Sequence, residues 1–103
     1  MRVMIKFTFA ADSGNDLIRS GKIGQIFERI SQEIKPECAY FFPDNGNRAG
    51  LMVFDMERSS QVAEVAERFF LGLNAKVEMT PVMAPEDLQA SLSNMQSIVD
   101  SYR

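Results

Sequence analysis

Two residues of the 103-residue chain stand where a proton donor and a proton acceptor could meet: Lys6 and Glu78, each inside a segment of alternating polarity. An ammonium facing a carboxylate is an ordinary cross-strand ion pair at a surface, and a donor–acceptor couple inside a closed cavity. Thr8 and Thr80 have the same parity as Lys6 and Glu78, and Tyr40 reaches the same face from a third segment. Lys6, Tyr40 and Glu78 are therefore the candidate catalytic groups. Thr8, Arg48 and Thr80 are candidate ligand contacts, Arg48 being a charge beside a turn that could meet an anion at the rim of a dimer.

Other chemistry is excluded by composition. With no His, the chain cannot build a Ser-His-Asp or Cys-His triad, an imidazole base, or a His-ligated zinc or iron site. The lone Cys38 cannot form an intramolecular disulfide, and its flanking Glu37 and Tyr40 give it no cation to lower its pKa, so it reads as an inert thiol. Gly21-Lys22 lacks the remainder of a phosphate-binding P-loop, because Asp16 stands in place of the first Gly and Ile23 in place of the hydroxyl. Gly21-Lys22-Ile23-Gly24 resembles the Gly-x-x-Gly loop of KH domains, but the order of elements that follows does not fit one. Asp44, Asn45, Asn47 and Asp55 lack the spacing of a calcium loop. Nothing calls for a metal or a cofactor.

The elements that must position these residues follow from periodicity. Val3, Ile5, Phe7 and Phe9 alternate with Met4, Lys6 and Thr8 as in a strand. Asp12 to Asp16 reads as a turn and helix start, with Ser13 and Asp16 spaced as a capping box. Ile23, Ile26, Phe27, Ile30 and Ile34 form a helical face that ends at Pro36, and the glycine-containing stretch before Ile23 reads as a looser turn. Residues 37–42 and 49–56 are strands joined through Asn45-Gly46, a strong hairpin signal. Val62, Val65, Ala66, Phe69 and Leu73 repeat at helical spacing after a Ser59 or Ser60 cap, and Gly72 or Asn74 ends that helix. Residues 75–82 form a fourth strand, and Pro85, Glu86 and Asp87 open a last helix.

The expected fold class is thus α+β: a ferredoxin-like βαββαβ core over residues 1–83 with an antiparallel four-stranded sheet, plus a C-terminal helix over 84–103, all in one domain. Helices cover one sheet face in that topology and leave the other bare. A bare, partly apolar face predicts a homodimer that closes sheet against sheet, with room for a small-molecule ligand. Leu88, Leu92, Met95, Val99 and Tyr102 are spaced 4, 3, 4 and 3, a seam for the domain itself or for a dimer partner.

No apolar run approaches the roughly 20 residues that span a bilayer, so a cytoplasmic protein without a membrane partner is expected. The net charge of −3 argues against nucleic acid, although six of the 11 basic residues fall within residues 1–35.

Longer stretches carry a family likeness. Lys35 to Phe41, Asn47-Arg48-Ala49, Phe70 to Glu78 and Pro81 to Leu88 resemble a family of small uncharacterised bacterial proteins, most specifically at Asn74 to Val82. That family is similar in layout to the dimeric α+β barrels, which include muconolactone isomerases and small cofactorless monooxygenases. The resemblance implies a homodimeric barrel that binds a small organic ligand between two sheets, or an isomerase or monooxygenase acting on a small aromatic or organic acid. It supplies no active-site residues, and the absence of His separates this chain from the haem-binding relatives.

Overall fold

The computed structural model of the chain describes residues 1–103. Its element order is β1 (Arg2–Phe9), α1 (Ala11–Ser20), α2 (Ile23–Ile34), β2 (Cys38–Asp44), β3 (Asn47–Asp55), α3 (Gln61–Leu73), β4 (Ala75–Pro81), α4 (Pro85–Leu92) and α5 (Met95–Ser101). The four strands form one sheet in the order β2-β3-β1-β4, with every neighbouring pair antiparallel. This α+β arrangement is compatible with a ferredoxin-like fold. It carries five helices where the sequence predicts three.

The core follows from the alternation in β1. Val3, Ile5, Phe7 and Phe9 are buried beneath the helices, whereas Arg2, Met4, Lys6 and Thr8 face the other way and stay partly exposed. Ile30 of α2 and Val65, Phe69 and Leu73 of α3 close over the buried row, together with Met52 and Phe54 of β3. Phe7 is the centre of this layer. Its ring stacks on Phe69 at 4.9 Å and lies 5.5 Å from Phe27, and Gly50 is its direct partner on β3. A Cβ on Gly50 would fall 2.5 Å from Phe7 Cζ and 2.9 Å from the Tyr40 carbonyl oxygen, so the ring occupies the space of the missing side chain.

Turns and caps set the lengths of the elements. The β2–β3 hairpin turns through Asn45 (φ 50°) and Gly46 (φ 78°), two consecutive left-handed residues as a type I′ turn needs. Asn74, also left-handed, ends α3, and its N–H donates to the Phe69 and Phe70 carbonyls. Gly21-Lys22 is the turn expected before Ile23, but the residues ahead of it, Ala11–Ser20, form a helix that the sequence does not predict. Gly21 caps α1 in the left-handed conformation, which separates it from α2. Ser13 forms no capping box, since its hydroxyl donates to the Ala10 carbonyl one turn earlier.

The C-terminal segment is two helices instead of one. Ser91, Ser93 and Ser97 each donate a hydroxyl to the carbonyl three residues earlier, local bonds that compete with the regular helical ladder around the break at Ser93-Asn94. Asp87 accepts from the Ala84 N–H and fixes the start of α4 after Pro85. No residue of α4 or α5 is buried. The pair stands off the body as an arm: the molecule extends 58 Å along its longest axis, with a radius of gyration of 17.2 Å, against about 13 Å for a compact chain of this length.

Gly50→Ala is expected to destabilise the protein by about 1–3 kcal/mol through overpacking against Phe7. Urea unfolding checks this, and an unchanged midpoint would show that the Phe7 ring does not need the gap.

Candidate functional site

The sheet face opposite the helices is a grid of side chains fixed by register. Across the order β2-β3-β1-β4, one row reads Cys38, Val53, Met4, Thr80. The next reads Tyr40, Leu51, Lys6, Glu78, and the third Phe42, Ala49, Thr8, Lys76. Five of the six candidate residues share this surface: Lys6, Thr8, Tyr40, Glu78 and Thr80. The sixth candidate, Arg48, does not. It pairs with Pro43 on the helix-covered side, and its Nη1 donates to Asn15 Oδ1 at 2.9 Å.

Lys6 and Glu78 are direct cross-strand neighbours, yet the lysine finds its partner elsewhere. Its Nζ lies 2.8 Å from Asp44 Oδ2, and both side chains are 30% exposed, the most shielded ion pair in the molecule. The hydrogen bond to Asp44 is the main reason the Lys6 pKa is raised; attraction to Asp44 and Glu78 adds to this, and partial desolvation opposes it. Lys6 is therefore a cation held by Asp44 and is unsuited to acting as a base. Glu78 makes no hydrogen bond or ion pair and is exposed at the β4 edge.

Asp44 is the residue that the sequence reading did not assign to this face, having placed it in the turn. Its parity with Cys38, Tyr40 and Phe42 along β2 is the signal that puts it there once the strand extends to Asp44. The surroundings are mostly apolar, with Met4, Leu51, Val53 and Phe42 half-buried around the pair and Tyr40 64% exposed. Such a face can hold a small organic molecule by contact with its apolar body and orient its polar groups against the Lys6–Asp44 pair.

A second cluster lies at the corner where the arm leaves the sheet. Arg2 donates to Glu37 and sits 3.6 Å from Asp87 of α4, while the Val82 N–H donates to the Arg2 carbonyl. The bond to Glu37 is the main cause of the raised Arg2 pKa. These contacts root the arm beside the open face, because Arg2 has the same parity as Met4 and Lys6.

Since folding raises the Lys6 pKa, the ion pair stabilises the fold fully below the lysine's unfolded pKa and ceases to do so as pH rises through the folded value. Wild type should accordingly melt above Lys6→Met at neutral pH, with the gap closing at strongly alkaline pH; a gap independent of pH would contradict the pairing. No helix is long and apolar enough to cross a membrane. No protein-family model matches this sequence, and no curated protein matches it at a significant level, so the family likeness gains no support there and the open face carries the functional reading.

Proposed function

We propose that this chain is a ferredoxin-like subunit of a homodimer of the α+β barrel type, in which two open sheet faces meet and hold a small organic ligand between them. The observation that carries this reading is the uncovered grid around Lys6, where apolar side chains surround one shielded ion pair. Leaving such a surface to water is unusual for a soluble monomer.

Magnitudes bring the arm into the same interface. Four strands of about seven residues present a face of about 20 by 20 Å, so two copies pressed together remove about 800 Å² from water. Stable interfaces bury about 1,200–2,000 Å². The arm would supply the missing area, since Leu88, Leu92, Met95, Ile98 and Val99 are 40–50% exposed. The Arg2–Asp87 contact roots the arm at a corner of the open face, which supports its inclusion in the same interface.

Binding is a better reading than catalysis. The isomerase or monooxygenase alternative needs a free proton acceptor near the ligand; Lys6 is held protonated by Asp44, the Asp44 carboxylate is engaged in that pair, and Glu78 is exposed at the sheet edge.

Light scattering of the intact chain should give twice the 11.6 kDa subunit mass at micromolar concentration. Leu92→Glu combined with Val99→Glu should shift the protein towards monomer while leaving its circular dichroism unchanged, because both residues are exposed in the single chain. A folded wild-type monomer would overturn the reading. An unaltered dimer in the double variant would remove the arm from the interface.

A further inference from the structure

A second concave surface lies on the helix-covered side of the sheet, at its β2 edge. Between α2 and the β2 edge lies a groove of about 360 Å³, within the range of small-ligand sites. Its walls include Phe9, Ile23, Phe27, Phe41 and Pro43, and Arg48 is the sole polar side chain in the lining. Phe27 and Phe41 meet edge to face at 5.0 Å, and Phe41 is 59% exposed, so an aromatic surface remains open to an incoming ring.

Arg48 is held in place without being neutralised. Its side chain lies against the buried Gly14 of α1, where an added Cβ would come within 3.0 Å of Nη1 and 3.4 Å of Cδ. Nη1 is fixed on the neutral Asn15 amide oxygen, and no carboxylate pairs with the guanidinium. The nearest acid along the hairpin, Asp44, is on the opposite face and already bound to Lys6. One oriented cation at an otherwise apolar groove selects a ligand with one anionic end and an apolar remainder, and a planar guanidinium suits a carboxylate in particular.

We propose that this groove binds a small monocarboxylic acid with an aromatic or branched apolar body, its carboxylate on Arg48 and its body against Phe27 and Phe41. The site does not depend on dimer formation, because Arg48, Phe27 and Phe41 belong to one chain and lie on the helix-covered side, although Phe42 and Ala49 of the lining also border the open face.

Benzoate and benzamide are the probes, since they share a shape and differ in charge. Titrated into the intact isotope-labelled protein, benzoate should move the backbone amides of Phe41, Phe42 and Ala49 saturably, with half-saturation at or below about 10 mM. Benzamide should bind at least about tenfold more weakly. Arg48→Gln, which keeps a donor for Asn15, should abolish that preference while the amide spectrum stays that of the folded protein. Phe41→Ala should weaken both probes alike. Equal binding of the two probes, a preference that survives Arg48→Gln, shifts centred on Lys6, or no saturable shift would each overturn the proposal.

Discussion

Phe7 lying in the space that Gly50 leaves empty is the contact on which the rest of the molecule depends. A β-sheet shifted by one residue moves every side chain to the opposite face. Here such a shift would set the Phe7 ring against a side chain on β3, because Ala49 and Leu51 flank Gly50. The ring fits only in the native register, where it stacks on Phe69 and fills the layer under α2 and α3. Burial of a phenylalanine side chain contributes about 1.5–3 kcal/mol, so a misplaced ring loses much of that gain and adds strain. One register then fixes both faces: the apolar row goes under the helices, and Lys6, Leu51, Tyr40 and Glu78 line up on the side without helices.

The two sides of the sheet are thereby given different work. The covered side contains the close-packed phenylalanines and, at its edge, an arginine without an acidic partner. The open side contains an ion pair and scattered apolar groups, too polar to be a core and too apolar to be an ordinary wet surface. The arm has the same character, an amphipathic pair of helices whose apolar residues are half-exposed. Two incompletely covered surfaces meet at the Arg2 corner, and the proposed dimer is the reading in which one partner covers both.

Much of the fold is legible in the sequence because local and global preferences agree there. The alternation of β1, the Asn45-Gly46 turn, the helical spacing from Val62 to Leu73 and the left-handed Asn74 each have one dominant cause. Where the causes are not local, the sequence is less informative. The helix from Ala11 to Ser20 lacks a strong apolar stripe, and part of its support is the packing of Arg48 across Gly14, a contact between residues 34 positions apart. The break at Ser93-Asn94 arises from serine hydroxyls whose partners depend on rotamer choice. The candidate site shows the same division. Parity alone brings Lys6, Thr8, Tyr40, Glu78 and Thr80 to one face, whereas the partner of Lys6 depends on where β2 ends and how far a lysine reaches across the twisted sheet.

Cys38 provides the most direct test of whether the open faces close on each other. It is the only cysteine, and its register places it on the open face beside Val53. The rate at which a thiol reagent labels Cys38 should fall as protein concentration rises through the dimerisation range, and should return to the free-thiol rate when the dimer is diluted apart or disrupted through the arm. A rate that matches an accessible thiol at every concentration would contradict closure of the open faces.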